Sequence, residues 1–158
     1  MSWAVRRLGR GDEPVLALLA RDDADFDLEG RGAPREPLAD DAAAQFLADP
    51  GVRAWVAEEN GGVIGFLYGH VIRKRAGPAV EVLLYEIGVR AAHRRRGVGR
   101  TLVKALLAWA DELVARETWV LAGNPGATAF YRACGFESSE EPTVMLSHRR
   151  IWGRARMV

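Results

Sequence analysis

Hydrophobic and polar positions along the chain change their period near residue 97. Before it, three apolar runs at residues 52–59, 63–72 and 79–89 have the length and alternation of strands. After it, apolar residues recur at helical spacing from Gly97 to Arg116. Asn60-Gly61-Gly62 separates the first two runs, and it is typical of a tight hairpin turn because Asn and Gly tolerate a positive φ. The pattern therefore predicts consecutive strands followed by a long amphipathic helix.

Shorter patterns on either side complete the predicted order of elements. In chain order they are a strand at Trp3–Leu8, a helix after Asp12, a loop from Asp25 to Pro37, a helix at 42–48 and, beyond the long helix, a strand "TWVLAG", a helix from Pro125 to Gly135 and a strand "TVMLSH". A hairpin-built sheet that gains a strand–helix–strand crossover has mixed strand directions. The predicted fold class is therefore α/β (α+β).

The composition is that of an ordinary folded domain. Hydrophobic residues make up 49% of the 158 residues and charged residues 27%, which argues against a disordered chain. We expect a single domain over residues 1–148 and a basic tail over 149–158. No apolar run approaches the roughly 20 residues that span a bilayer, and we see no signal peptide. The single cysteine, Cys134, cannot form an internal disulfide, which favours a cytoplasmic location.

Charge is segregated along the chain although the formal net charge is only +1. Eight acids lie between Asp22 and Asp41, and five arginines with no acid lie between Arg90 and Arg100. Such a division predicts two partners of opposite charge, or simply two solvated stretches of surface.

The basic stretch "HRRRGVGR", residues 93–100, lies between a buried strand and the long helix. The first N–H groups of a helix have no internal partner and attract an anion, most often phosphate. A Walker loop would need a lysine, and a dinucleotide loop would need a third glycine where Leu102 stands. A nucleic-acid patch would accept the arginines but does not require glycines at a helix start. The stretch therefore predicts a phosphate cradle.

Two motifs together resemble a known family. Arg94-x-x-Gly97-x-Gly99 and the later Asn124-x-x-Ala127-x-x-Phe130-Tyr131-x-x-x-Gly135-Phe136 are similar to the two signatures of the GCN5-related N-acetyltransferases (GNAT). The resemblance covers nearly the whole chain. It implies a mixed central sheet of six to seven strands flanked by about four helices. It also implies that the strand ending at Val89 splays from the parallel strand "TWVLAG" and that acetyl-CoA enters the gap.

The resemblance also assigns residues to the cofactor. Backbone N–H groups from about Arg95 to Gly99 would hold the pyrophosphate of coenzyme A, and the strand ending in Glu86–Val89 would pair with the pantetheine arm. The residues expected to bind cofactor are Ile87, Gly88, Val89, Arg94, Arg95, Arg96, Gly97, Val98, Gly99, Arg100, Asn124, Ala127 and Tyr131.

Two side chains are predicted to be catalytic. Glu86 would share a face with Val82 and Leu84 in an alternating strand, and apolar neighbours would raise its pKa into a range suited to a general base. The alternatives are a salt bridge to an arginine and a bulge that changes the facing of the strand. The resemblance places Tyr131 near the sulfur, where it would protonate the leaving thiolate; its alternative is a half-buried packing aromatic.

The other reactive residue types have simpler interpretations. Cys134 is expected to be a structural thiol, since no base is placed beside it. The three histidines lack metal-ligand spacing, so no metal is predicted.

The acceptor is predicted to be a small polycation. In the family, the first two helices and their loop line the acceptor side, and here that segment is acidic. "LLYEIGVRAAHRRRGVGRTLVKALLAWADE" is similar to the aminoglycoside 3-N-acetyltransferases of type I, although their acid is typically Asp where Glu86 stands. Expected substrate-binding residues are Asp25, Asp27, Tyr85, Glu86, Glu140 and Glu141.

Other functions stay open beside the aminoglycoside. A polyamine or protein N-acetyltransferase, a non-catalytic acyl-CoA-binding regulator and, less favoured, a nucleic-acid binder fit parts of the same pattern. Neither a nucleic acid nor a membrane is predicted as a partner, and a homodimer is a candidate assembly.

Overall fold

A five-stranded sheet with helices on both faces forms the protein, and the computed structural model describes residues 2–27, 32–77 and 80–149. The strands are β1 (Ala4–Arg7), β2 (Val52–Glu59), β3 (Gly62–Arg73), β4 (Val80–Val89) and β5 (Thr118–Trp119). The helices are α1 (Glu13–Arg21), α2 (Asp23–Phe26), α3 (Asp40–Ala48), α4 (Val98–Glu112) and α5 (Pro125–Ala133), with a 3-10 turn at Ala91–His93. The predicted mixed α/β class is confirmed.

The strands are ordered β1-β2-β3-β4-β5 across the sheet. The pairs β1–β2, β2–β3 and β3–β4 are antiparallel, and the pair β4–β5 is parallel. Asn60 and Gly61 both have positive φ at the turn between β2 and β3, so the predicted hairpin is confirmed. The crossover from β4 through α4 to β5 makes the sheet mixed, as its helical period predicted.

Each face of the sheet has its own apolar cluster. On one face, Leu102, Leu106 and Trp109 of α4 are essentially inaccessible and pack with Val82 and Leu84 of β4. On the other face, α1, α2 and α3 cover a smaller cluster that includes Phe26 and Phe66. Strand β4 therefore lies between two layers of helices. Successive side chains of a strand point to opposite faces of its sheet, so those of β4 face different helices.

One helix lies where the sequence predicts a loop. Within the predicted loop from Asp25 to Pro37, residues Asp25 and Phe26 belong to the short helix α2. Its first turn carries Asp23 and Asp25, which favour a helix start through the helix dipole. The buried Phe26 anchors α2 edge-on against Phe66, with ring centroids 5.3 Å apart.

The strand count differs from the six to seven expected. "TVMLSH" at residues 143–148 was predicted as a strand, but it pairs with no strand among the described residues. Its apolar side chains are exposed, with Leu146 88% accessible. The reason lies in β5, whose regular pairing is only two residues long and offers little edge for another strand to join. Residues 150–158 of the predicted basic tail lie outside the described residues.

Within the described residues, no helix is both long enough and apolar enough to cross a membrane.

Candidate active site

A bulge in β4 decides where Glu86 points. Tyr68 of β3 pairs with Glu86, but the next residue, Gly69, pairs with Leu84, so Tyr85 is an extra residue in β4. The alternation of side chains therefore shifts by one at this point. Val82, Leu84 and Ile87 pack in the cluster around α4, whereas Glu86 lies on the opposite face beside Tyr68. The expectation that Glu86 shares a face with Val82 and Leu84 is wrong, and the bulge is the physical reason.

The Glu86 carboxyl lies at the edge of the smaller apolar cluster. Burial raises the pKa of Glu86 above its ordinary value, while the nearby Arg35 and Tyr68 act in the opposite direction. The Arg35 guanidinium is 3.8 Å from the carboxyl and 3.2 Å from Asp23. Both the raised pKa and the arginine neighbour that the sequence left as alternatives are therefore present together.

Strands β4 and β5 pair with each other over only two positions. Their register contains only Val82 with Thr118 and Leu83 with Trp119. Beyond Leu83, no described strand pairs with that edge of β4, so the backbone from Glu86 to Val89 is open on this side. A free strand edge offers N–H and C=O groups to an extended ligand. The parallel pair that the predicted splay requires is thus present, and its pairing stops before Glu86.

The loop before α4 adopts the conformation of an anion cradle. Gly97 has φ +81° at the start of α4, and Arg95 is one of three non-glycine residues with positive φ in the described chain. The N–H groups from Arg95 through Arg100 have no acceptor among the described residues. Six unpaired N–H groups at the start of a 15-residue helix fit a diphosphate.

The four predicted arginines of this loop have different surroundings. The Arg94 side chain donates to the backbone oxygens of Val89 and Asp27, at 3.1 and 2.9 Å, which ties α2 to β4. Arg96 donates to the half-buried Glu59 at 2.6 Å, and the same carboxylate lies 3.2 Å from His93. The side chains of Arg95 and Arg100 are exposed and have no hydrogen bond or ion pair with any described residue. Only these two are free to reach an anion on the loop.

The second motif builds the start of α5. Asn124 is its N-cap, and its side-chain oxygen accepts from the Ala127 N–H at 2.8 Å. Tyr131 follows on the same helix and is buried against Phe130 and Phe136. Burial raises the pKa of Tyr131 to about 12, so its hydroxyl keeps its proton at neutral pH. Cys134 has no described base beside it, and burial raises its pKa.

Two cavities meet at Glu86. The β4–α5 cavity, of about 390 Å³, is lined by Glu86, Ile87, Asn124, Ala127 and Tyr131 among others. The α1–α3 cavity, of about 350 Å³, lies against α1, α3 and the sheet. The residues that line both are Asp23, Arg35, Phe66 and Glu86. The predicted base and acid, 45 positions apart in the chain, therefore line one cavity.

The predicted substrate acids are only partly available. Asp25 binds Arg90 at 3.0 Å, and the Asp27 backbone accepts from Arg94. Glu140 and Glu141 are exposed in the segment after α5 and form no ion pair within the described residues. Tyr85 is 61% exposed and stacks on Tyr68 at 5.4 Å. The acidic stretch after α1 is therefore largely paired with arginine.

Sequence reasoning missed four residues of this region. Tyr68 and Arg35 flank Glu86, Asp23 holds Arg35, and Glu59 holds Arg96. Their partners are between 12 and 51 positions away along the chain, so no local spacing could reveal them. The hairpin signal predicted that β2 and β3 pair, but the register that brings Glu59 beside the loop depends on the bulges. Among the described residues, no cluster suited to a metal ion is present.

Known proteins resemble this chain over most of its sequence. Residues 17–136 match the family model described as the acetyltransferase (GNAT) family. An N-acetyltransferase 8 from Rattus norvegicus is 25% identical over 103 residues, which are 64% of this chain and 46% of that protein. The chain thus spans about half the length of the curated relatives it matches.

Solved structures share the whole fold. An aminoglycoside acetyltransferase from an uncultured soil metagenomic sample, in complex with trehalose, has a TM-score of 0.79 at 17% identity, covering 94% of this chain and 97% of that one. An aminoglycoside N-acetyltransferase, AAC(6')-Iy, in complex with CoA, has a TM-score of 0.71 at 20% identity, covering 93% and 99%.

The chain belongs to the acetyltransferase (GNAT) family, since the family model covers 120 of its 158 residues. The predictions of this family and of acetyl-CoA as the acetyl donor are confirmed at the level of the family.

Proposed function

We propose that this protein transfers the acetyl group of acetyl-CoA to a primary amine, with Glu86 as general base and Tyr131 as general acid. The observation that carries the proposal is that both side chains line one cavity, next to the open edge of β4 and the start of α4. Bound acetyl-CoA would supply the thioester whose acetyl group is transferred. The remaining chemistry falls to this chain.

The proposed transfer is a direct attack. Glu86 takes a proton from the acceptor ammonium, and the freed nitrogen bonds to the acetyl carbon. The carbon–sulfur bond breaks, and the Tyr131 hydroxyl gives its proton to the departing sulfur. The acylated nitrogen then loses its second proton, which restores Tyr131, and the proton held by Glu86 leaves to solvent. Atoms and charges balance with the amide, the free thiol and one released proton.

The pKa values of the two groups suit these roles. A raised pKa makes Glu86 a stronger base than an exposed glutamate, and burial is the cause. Tyr131 is protonated at neutral pH, because burial raises its pKa to about 12. No described group hydrogen-bonds to the Tyr131 hydroxyl, so the proton is available to a ligand in the cavity.

The loop before α4 would bind the diphosphate of coenzyme A. The unpaired N–H groups from Arg95 through Arg100 would bind its oxygens, and the exposed side chains of Arg95 and Arg100 would add charge. The remaining predicted contacts, from Gly88, Val89 and Asn124, would follow the pantetheine arm along the open edge of β4. The Asn124 amide N–H₂ stays available, since only its oxygen caps α5.

An aminoglycoside is the acceptor that the comparisons favour. Five of the similar structures are of aminoglycoside acetyltransferases, and one of these is a complex with sisomicin. The exposed Glu140 and Glu141 could attract such a polycation. Against it, Asp23 and Asp25 are already paired with Arg35 and Arg90. An aminoglycoside therefore enters the tests as one acceptor among several.

The experiment is an acetyl transfer assay that measures free thiol release from acetyl-CoA with a panel of amines. We expect an amine-dependent rate that Glu86→Gln lowers by about 10²–10⁴-fold, the usual contribution of a general base. Glu81→Gln is the matched control, since Glu81 lies on the same strand but binds Lys74 and Trp119.

The competing regulator hypothesis makes a different prediction. A non-catalytic protein would bind acetyl-CoA in calorimetry but release no thiol with any amine. Absence of both binding and thiol release would refute the assignment of the cavity itself.

A further inference from the structure

The α1–α3 cavity is a second compartment that the proposed roles of Glu86 and Tyr131 do not use. At about 350 Å³, it is within the size range of small-molecule sites, roughly 300–1,000 Å³. It shares Glu86 with the β4–α5 cavity but reaches neither Tyr131 nor Asn124. A ligand in it would approach Glu86 from the side opposite the proposed donor.

Most of the residues that line this compartment are apolar. Its walls come from Leu16, Leu19 and Ala20 of α1, Phe46 of α3, and Ala54 and Phe66 of the sheet. Near the surface, Leu38 is 52% exposed, so apolar character continues to solvent. The lining thus offers burial to a hydrocarbon body and few partners to polar groups.

The charges of the cavity are concentrated near Glu86. Asp23, Arg35 and Glu86 are joined by contacts of 3.2 and 3.8 Å, and together they carry one net negative charge when both carboxyls are ionised. The fourth charged lining residue, Glu36, is exposed to solvent, and Tyr68 adds a phenol hydroxyl to the lining. One ammonium group complements that cluster. Each further ammonium would have to leave water for an apolar wall, which is strongly unfavourable.

We propose that the acceptor is a monocationic primary amine with an apolar body, which occupies the α1–α3 cavity while its amino group reaches Glu86. This inference rests on the proposed amine acetylation and names its substrate class. It separates the acceptor from polyamines and aminoglycosides, whose additional charges would find only the exposed Glu36 as a further carboxylate among the described lining residues. A peptide with an apolar first residue is the other occupant that the test must distinguish.

The test uses the full chain and a series of n-alkylamines, from ethylamine to hexylamine, which share one reactive group. If the alkyl chain enters the cavity, each buried methylene should raise kcat/KM by about fourfold. Spermidine, sisomicin and an alanine-initiated peptide are assayed alongside, and hexylamine should exceed each by about tenfold or more.

A cavity-filling variant tests whether the chain-length dependence of kcat/KM arises in the α1–α3 cavity. Ala20→Phe places a ring in the cavity and should abolish the chain-length dependence while leaving acetyl-CoA affinity, measured by calorimetry, within about twofold of wild type. Ala44→Phe makes the same change at an exposed position of α3 that does not line the cavity, and it should keep the full dependence. The alkylamine series on the wild-type protein is informative even if Ala20→Phe does not fold.

The outcomes separate the two proposals. A flat series, or higher kcat/KM for spermidine, sisomicin or the peptide, overturns this inference and leaves amine acetylation standing. Failure to acetylate any amine overturns both. A rising series that Ala20→Phe flattens and Ala44→Phe preserves supports the apolar acceptor.

Discussion

Glu86 of β4 lies directly opposite Tyr68 of β3 because Tyr85 is accommodated as an extra residue in the strand. Without that bulge, Glu86 would face the cluster around α4, where it would lie far from Arg35. With it, the carboxyl faces both cavities and has Tyr68, Arg35 and Asp23 as neighbours.

The pH dependence of the wild-type protein should reveal Glu86. Its base function requires the ionised carboxylate, so kcat/KM should fall as the pH drops through the raised pKa of Glu86. The acidic limb should therefore lie above the pKa of an ordinary glutamate, about 4.3. Glu86→Gln should remove the limb, and a limb that persists in this variant would show that another group titrates.

Arg35 should set the position of that limb. Its positive charge lowers the pKa of Glu86, so Arg35→Gln should move the acidic limb of kcat/KM to higher pH. Arg35→Lys keeps the charge and should leave the limb closer to the wild-type position. An identical shift in both variants would mean that the charge is not the cause.

Tyr131→Phe should slow the chemical step rather than weaken binding. Loss of the proton donor should lower kcat by about 10²-fold, while the KM for acetyl-CoA changes little. Tyr68→Phe offers the contrast: Tyr68 hydrogen bonding lowers the pKa of Glu86, so this variant should move the acidic limb to higher pH instead. If both variants merely raised the KM for acetyl-CoA, neither tyrosine would have the proposed role.

The left-handed turn before α4 can be tested with a matched pair of glycines. Gly97 and Gly61 have φ of +81° and +77°, and an added Cβ would meet nothing within 4 Å at either. Alanine at each should cost about 1 kcal/mol of stability through backbone strain. Only Gly97→Ala should raise the KM for acetyl-CoA, by about tenfold if the strained turn shifts its N–H groups. Equal KM values for the two variants would argue against the anion cradle.

Arg90 should stabilise the fold in a pH-dependent way. It binds Asp22, Asp25 and the Val63 carbonyl, and its replacement by Met should cost roughly 2 kcal/mol in denaturant unfolding. Arg53→Met is the control, since Arg53 is similarly buried but binds only Glu112 among the described carboxylates.

The direction in which the stability of the fold changes with pH follows from the pKa of Asp25. Arg90 holds the pKa of Asp25 below its ordinary value. Such a carboxyl stabilises the fold above its unfolded pKa, about 3.9, and the contribution is lost as pH falls through the folded value. Wild-type stability should therefore decline below about pH 4 more steeply than that of Arg90→Met.

Local features of the sequence predicted most of the helices and strands, and its two motifs predicted the family. The hydrophobic period and the Asn60–Gly61 turn are local features, and local physics sufficed to predict the hairpin and the long helix. Conversely, "TVMLSH" has a strand pattern but pairs with no strand in the described part of the chain, because pairing depends on an edge that β5 does not extend.

The surroundings of Glu86 depend on tertiary packing between distant segments. The bulge at Tyr85 shifts the facing of the strand, and the arginines that the sequence assigned to the anion divide into two internal ties, Arg94 and Arg96, and two exposed side chains. Likewise, the acidic stretch is paired with Arg35 and Arg90, which lie 12 or more positions away. Register and long-range ion pairs arise from packing between distant segments, so no local spacing encodes them.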